Sequence, residues 1–533
     1  MAPGAESDWW RGAVIYQIYP RSFCDSNGDG IGDLQGVIQK LDYVASLGVD
    51  GIWLSPFFTS PMKDFGYDVS DYCDVDPLFG TLADFDALLE KAHALGLKVI
   101  IDQVWSHTSD QHPWFQASAA SRDNPKADWY VWADAKPDGA PPNNWQAMFG
   151  GPSWTWNPRR RQYYLHNFLV EQPDLNYWNP EVQDAILSAG RFWLDRGVDG
   201  FRLDVINFIL HDRDLTDNPP APYRRPPAVL TLYQRHIHDR SQPGALAFLS
   251  RLRAMIDERP GRMTVGELGD EDIFARQKEY TAGTDRLHTA YGFQLLDARS
   301  ATPALFARTM EEWQGESGWP AWSLSNHDVD RYPSRLAGDD PALTRLLLAA
   351  LLCLRGTAFL YQGDELGLPQ GQVPFEKLQD PFAKAVWTGG AFRDGARTPM
   401  PWTTEGPSAG FSAGAETWLP LDPAHRPLAA EAQAADPAAM LAFTRGLVAV
   451  RRDSPALKWG EAEVVPAPEG VFSLVRVTPE ERVLCVFNLS AESARVEAPR
   501  GGQIMLSLNE AWVTNDGVLE LPAHGGALIR VPT

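Results

Sequence analysis

Short apolar runs ending in polar or acidic residues recur through most of this 533-residue chain, and amphipathic helical stretches lie between them. That alternation is the signature of βα units, and strands joined by such crossovers pair as a parallel sheet. The candidate strands cover residues 14–20, 49–56, 97–104, 198–205, 263–268, 290–296, 321–328 and 357–365, with helical periodicity at 34–47, 82–95, 182–196, 246–256 and 342–354. Eight units are enough to close a sheet on itself, so the expected fold is α/β, a (β/α)8 barrel of the TIM type.

One connection is too long for a simple crossover. About seventy residues, 105–173, follow the third strand, well beyond ordinary loop lengths, and predict an inserted subdomain at the strand's C-terminal end, where barrel active sites sit. The insert carries Trp114, Trp129, Trp132, Trp145, Trp154 and Trp156; most are expected to be packing residues, with one or two stacking on substrate. After a last helix at 438–452 the periodicity falls to two, at 470–477, 482–489 and 527–531, which predicts an appended antiparallel β-sandwich. The expected organisation is therefore a barrel domain of residues 1–104 and 174–456, an insert at 105–173, a loop-rich insertion at about 366–436 and a C-terminal β domain at 457–533.

The formal net charge of −22 argues against nucleic acid or an acidic membrane surface as a partner, because the long-range field repels polyanions. A neutral, small substrate fits better. Residues 1–10 lack the basic and apolar regions of a signal peptide and no apolar run reaches membrane-spanning length, so the expected location is cytoplasmic. Cys24, Cys73, Cys353 and Cys485 form no close C-x-x-C pair, which predicts isolated reduced thiols rather than a zinc site or a disulfide framework. No organic cofactor is expected, and a homodimer is left open.

Three acids fall at the ends of separate candidate strands: Asp204 after Gly200-Phe201-Arg202-Leu203, Glu267 after Thr264-Val265-Gly266, and Asp328 after Ser325-Asn326-His327. One such acid alone is as readily a helix cap or a solvated loop residue; three converging on one barrel face point to catalysis. Retaining cleavage of a glycoside needs an ionised carboxylate to attack the anomeric carbon and a protonated one to assist the leaving oxygen, roughly 5 to 5.5 Å apart. Arg202 lies two residues before Asp204 on the same strand face and is expected to hold it ionised. Glu267, between Gly266 and Leu268, is expected to have little charge compensation and a raised pKa suited to an acid.

These segments, with a fourth around residues 102–107, resemble the short signatures of glycoside hydrolase family 13, the α-amylase family, in order and strand placement along nearly the whole chain. The resemblance implies Asp204 as nucleophile, Glu267 as general acid/base and Asp328 as transition-state stabiliser, with Arg202, His107 and His327 lining the sugar subsite and Phe149 and Phe168 contacting substrate. Gln172-Pro173-Asp174-Leu175-Asn176 and Asp64-Phe65-Gly66-Tyr67-Asp68 are similar to the oligo-1,6-glucosidase and α-glucosidase branch. By that similarity Asp64 pairs with an arginine, Arg397 in preference to Arg393, to grip the terminal glucose while Tyr67 stacks on its face. Val205, directly after the nucleophile, is taken to favour α-1,6 linkages, acting indirectly from the opposite strand face.

The implied activity is a retaining α-glucosidase releasing glucose from short maltose- or isomaltose-type substrates, with transglucosylation as a side activity. The competing readings are a glucosyl-transferring or isomerising relative, of the sucrose isomerase, amylosucrase or trehalose synthase kind, and a non-catalytic binding barrel, which the three retained acids disfavour. Ser106 stands where many α-amylases carry a calcium-binding Asn, so that ion is not expected. A different loop, residues 25–33, spaces Asp25, Asn27, Asp29 and Asp33 as oxygen ligands of a structural Ca2+ or Mg2+, to which the resemblance to α-glucosidases adds the Ile31 carbonyl, with an Asx-rich turn as the alternative.

Overall fold

The computed structural model describes residues 6–222, 230–316, 318–385, 393–414 and 416–532. Its central sheet is built from short, almost wholly buried runs: β1 Val14–Ile18, β2 Gly51–Leu54, β3 Lys98–Gln103, β4 Gly200–Leu203, β5 Met263–Leu268, β6 Thr289–Gly292, β7 Ala321–Ser323 and β8 Thr357–Tyr361. They pair in parallel in the order β6-β5-β4-β3-β2-β1-β8-β7, and a parallel bridge between Ala290 and Pro320 joins the two edges into a barrel. Ile15, Trp53, Ile100, Met263, Val265, Tyr291 and Phe359 fill the interior, so the barrel is a packed core and not a pore.

The surrounding helices are specified locally. Thr81 and Asp84 form a reciprocal capping box at the helix Leu82–Ala94. Asn179, Thr302 and Asp340 each cap a helix whose first residue is proline, the position where a missing N–H costs nothing. Gly197, at φ 105°, ends the helix Pro180–Arg196 in the left-handed region and turns the chain back toward β4.

Every barrel strand but β5 is shorter than its apolar run predicts, and β6, β7 and β8 stop well short of their C-terminal ends, at Gly292, Ser323 and Tyr361. Beyond them side-chain bonds replace the ladder: Asn326 Oδ1 accepts the amides of Asp328 (2.8 Å) and Val329 (3.1 Å), an Asx turn that lifts Asp328 off the sheet. The insert contains the helix Pro113–Ala120 and a three-stranded antiparallel sheet with Gln162–Leu165 in the middle. Residues 366–436 contain short helical turns, of which 386–392 and 415 lie outside the described residues. The C-terminal region is a five-stranded and a three-stranded antiparallel sheet packed through Val471, Val486, Leu519, Leu521, Ala527 and Ile529. Among the described residues no helix is long and apolar enough to cross a membrane.

All four cysteines are free, as expected, and Cys353 and Cys485 are buried where the helix Pro341–Cys353 packs on the C-terminal sheet. Two arginines seal that seam without any carboxylate. Arg476 donates to the carbonyls of Cys353, Leu354, Leu457 and Gly460 at 2.8 to 3.0 Å, and Arg451 to those of Gly12, Leu352, Leu354 and Gly356. Helix ends leave such carbonyls unpaired, and a cation suits the negative end of the helix dipole. Replacing Arg476 by Met strips the donors from four buried carbonyls, and the urea-unfolding free energy of the variant is expected to fall by on the order of 3 kcal/mol.

Candidate active site

The C-terminal ends of the barrel strands open into a cavity of about 1390 Å³. Asp204, one residue past β4, Glu267 on β5 and Asp328 after β7 all line it. The Asp204 amide donates to the carbonyl of Gln103 on β3 (3.0 Å), which fixes the nucleophile candidate to the barrel rim.

Beneath the cavity lies one fully buried guanidinium. Arg202 Nη1 donates to Asp204 Oδ1 (2.6 Å) and to Asp102 Oδ1 (2.8 Å), and Nη2 sits 2.6 Å from Glu267 Oε1. The expected Arg202–Asp204 pair is present. The expectation that Glu267 lacks a charge partner is corrected: the cation two strand positions from Asp204 reaches β5 as well, because Arg202 is registered opposite Val265. Glu267 nonetheless has a raised pKa, about 7, because burial and the nearby Asp204 and Asp328 outweigh Arg202. Burial also pushes Asp204 above the usual carboxylate range against the pull of Arg202, with Asp102 and Asp328 adding to the rise. Two carboxylates held up together share a proton. Both face Arg202 at 2.6 Å, so the guanidinium by itself does not decide which of them carries it.

Asp328 behaves oppositely. Burial works against its ionisation, but the His327 ring and the guanidiniums of Arg397 and Arg393 outweigh it and hold the carboxyl well below the ordinary range. Arg393 Nη2 bridges Asp64 (2.9 Å) and Asp380 (2.7 Å), and its Nη1 lies 3.3 Å from Asp328. This corrects the pairing expected from sequence: the partner of Asp64 is Arg393. Arg397 is fully buried, donates to the His327 carbonyl and to Asp328 (2.8 Å), and is absent from the cavity lining. Only three residues separate the two arginines, so sequence alone did not distinguish them.

The remaining expected contacts divide between wall and support. Asp64, Tyr67, His107, Phe149, Phe168 and Val205 line the cavity; Arg202 and His327 lie behind it. The Tyr67 ring stacks on His327 at 5.3 Å and its hydroxyl reaches Asp102 Oδ2 (3.1 Å). Gln17 on β1 donates to His327 Nδ1 (2.8 Å), which leaves the proton of the neutral ring on Nε2, toward Tyr67 and Asp328. Burial pushes His327 down to about 3 and His107 to about 4, so both rings are uncharged at neutral pH. His107 is spanned by Ser106 and the Tyr67 carbonyl, and Gln172 reaches it (3.2 Å) and Asp64 (3.4 Å).

Val205 is corrected in position. The strand has already ended at Leu203, and Val205 adopts φ 34° and ψ 46°, a conformation a β-branched residue enters only under strain. That turn places its side chain on the cavity wall, not on the far strand face, and its amide 3.4 Å from Glu267 Oε2. None of the six insert tryptophans is among the residues lining the cavity; its aromatic wall is Phe149, Phe168, Phe208, Phe293, Phe382 and Tyr67. Asp102 and Tyr291 were missed as site residues. Asp102 stood in a noted signature without a role, and Tyr291 carries no motif at all.

The loop of residues 25–33 closes on its own backbone. Asp25 accepts the amides of Asn27, Gly28 and Gly30, Asn27 that of Asp29, Asp29 that of Ile31, and Asp33 caps the following helix at Gly36. Among the described residues no group of three or more His, Cys, Asp and Glu side chains is arranged to hold a metal ion.

Residues 17–460 match the family described as alpha amylase, catalytic domain. A probable alpha-glucosidase of Rhizobium meliloti (strain 1021) is 53% identical over 99% of this chain and 98% of its own length. An oligo-1,6-glucosidase of Parageobacillus thermoglucosidasius is 35% identical over 97% and 96%. The crystal structure of the alpha-glucosyl transfer enzyme XgtA superposes with a TM-score of 0.94 at 51% identity, covering 98% of this chain and 99% of that one.

The shared guanidinium makes one pH effect specific. Asp102 both competes for Arg202 and raises Asp204, so Asp102→Asn lowers the Asp204 pKa. The acid limb of the kcat/KM profile is then expected to move to lower pH by about one unit, read from initial rates on an aryl α-glucoside between pH 4 and 9.

Proposed function

Because this chain belongs to the α-amylase family, in the branch with the α-glucosidases, we propose that it is a retaining α-glucosidase that removes single glucose units from the non-reducing ends of short α-glucosides. The observation that carries this reading is the convergence of Asp204, Glu267 and Asp328 on one cavity in whose wall the Asp64–Arg393 pair also stands. A wall there makes a pocket, and a pocket accepts a chain end in place of an internal segment. In the first step Asp204 attacks the anomeric carbon while Glu267 gives its proton to the departing oxygen, so the glycosidic bond breaks as a glucosyl ester forms. In the second, Glu267 takes a proton from water, which attacks the same carbon and restores the Asp204 carboxylate. Asp328, kept ionised by Arg393 and Arg397, faces the positive charge that develops on the sugar.

When an acceptor hydroxyl replaces water, the same ester yields transfer, and the likeness to an alpha-glucosyl transfer enzyme supports that as a second outcome of the same site. The likeness to an oligo-1,6-glucosidase supports action on isomaltose alongside maltose. The enzyme is read as cytoplasmic, acting on neutral saccharides without an organic cofactor.

Wild-type protein should release α-glucose first, as seen by early-time NMR, from both maltose and isomaltose. Asp204→Asn and Glu267→Gln should lose at least about a thousandfold in turnover on these sugars while keeping the wild-type melting temperature. An initial β-anomer, or an active folded variant, overturns the assignment.

A divalent cation, Ca2+ or Mg2+, on Asp25, Asn27, Asp29, the Ile31 carbonyl and Asp33 belongs to the same proposal and takes no part in the chemistry. The ligand order of the loop supports it, and the amide bonds within the loop must persist beside it. Thorough chelation should lower the melting temperature and leave activity at moderate temperature intact; an unchanged melting temperature assigns the loop to its Asx bonds alone.

A further inference from the structure

Tyr291 sits on β6 directly opposite Glu267 in the β5–β6 ladder and is 3% exposed. Its hydroxyl oxygen lies 3.1 Å from Arg202 Nε, 2.9 Å from Arg202 Nη2 and 3.0 Å from Glu267 Oε1. A guanidinium has donors and no acceptor, so the phenol oxygen accepts twice from Arg202. Its single proton then has one destination, Glu267 Oε1. Oxygen and hydrogen are both committed, and the direction of the bond is fixed.

That polarity has two consequences for the acid/base. Oε1 faces two donors, the Tyr291 hydroxyl and Arg202 Nη2 (2.6 Å), and Oε2 only the longer bond from the Val205 amide (3.4 Å), so the proton that Glu267 carries in the first step resides on Oε2. The second step needs Glu267 ionised, and a hydrogen bond donated to the carboxylate favours that form. Burial, with the charges of Glu267 and Asp102, outweighs the pull of Arg202 and places the Tyr291 hydroxyl well above the ordinary phenol range, so it remains a donor throughout the working pH. Among the described residues no other neutral side chain is hydrogen-bonded to both Arg202 and Glu267.

We propose that Tyr291 is a positioning residue for the acid/base, a one-way hydrogen-bond relay from Arg202 that fixes the Glu267 proton on Oε2 and eases the carboxyl's return to the ionised state for deglucosylation. The inference rests on the retaining glucosidase reading and acts only through Glu267. Its test is separable from that reading, because loss of activity in Asp204→Asn and Glu267→Gln reports the assignment of the acids, whatever Tyr291 does.

Tyr291→Phe keeps the ring and its packing and removes only the hydroxyl. The basic limb of its kcat/KM profile is expected to rise by about one pH unit, since Glu267 then holds its proton more tightly. On p-nitrophenyl α-glucoside, whose leaving group needs little acid help, kcat should fall by about tenfold or more with a pre-steady-state burst of nitrophenol, as the second step becomes limiting. Combined with Glu267→Gln, Tyr291→Phe should add no further loss. Site-specific 3-fluorotyrosine, a stronger donor of nearly the same shape, should move the basic limb the opposite way and covers the case in which the Phe variant does not fold. Superimposable pH profiles for wild type and both variants, or losses that multiply with Glu267→Gln, overturn the proposal and leave Tyr291 as packing.

Discussion

The site is organised around a single buried positive charge. Three carboxylates, Asp102, Asp204 and Glu267, are gathered on Arg202, each within 2.8 Å of a terminal guanidinium nitrogen. Taking that many anions out of water carries a large desolvation cost, and attraction to a cation at such range offsets it only when geometry and hydrogen bonds are satisfied. One charge cannot neutralise three, so the cluster keeps a proton. A glycosidase needs that state: one carboxylate free to attack and one still carrying its hydrogen. Asp328, supplied separately by Arg393 and Arg397, is left out of the shared proton and stays ionised. The site thus sorts its acids by which arginine each one faces.

Much of this was legible in the sequence. Period and punctuation along the chain carry the eight strands, because each buried strand must be apolar and each helix must bury one stripe. The three acids were legible for the same reason: they follow the apolar runs directly, where the barrel delivers side chains to one face. Residues whose roles depend on contacts between distant strands were not. Nothing within four residues tells Arg393 from Arg397 as the partner of Asp64, and the choice is made by a turn at Arg393–Ala396 that aims one side chain into the cavity and the other beneath it. Tyr291 was invisible because its meaning lies in the β5–β6 register.

Val205 shows how a local rule fails at a working position. Alternation along a strand places it opposite Asp204, but the strand ends one residue before the nucleophile and the backbone passes through the left-handed region. A β-branched residue there costs of order 1 to 3 kcal/mol unless the surroundings impose it. The neighbouring constraints are the Asp204 amide on Gln103, the Phe208 amide on the Val205 carbonyl and the approach of the Val205 amide to Glu267. The strain sits between the two catalytic carboxyls and fixes their relative placement.

The arginines at the seam between barrel and C-terminal sheet have a consequence for how the molecule responds to solution conditions. Arg451 and Arg476 rest on peptide carbonyls, and burial lowers their pKa values to about 10 and about 9, so neither they nor their partners change charge on the acid side of neutrality. Added salt screens such buried contacts little. At the mouth of the barrel the carboxylates differ: Asp204 and Glu267 take up protons more readily in the folded chain, so their discharge does not weaken it, whereas the discharge of Asp328 does. Acid therefore alters the charge of the catalytic site while these two anchors of the β-sandwich keep both their charge and their bonds.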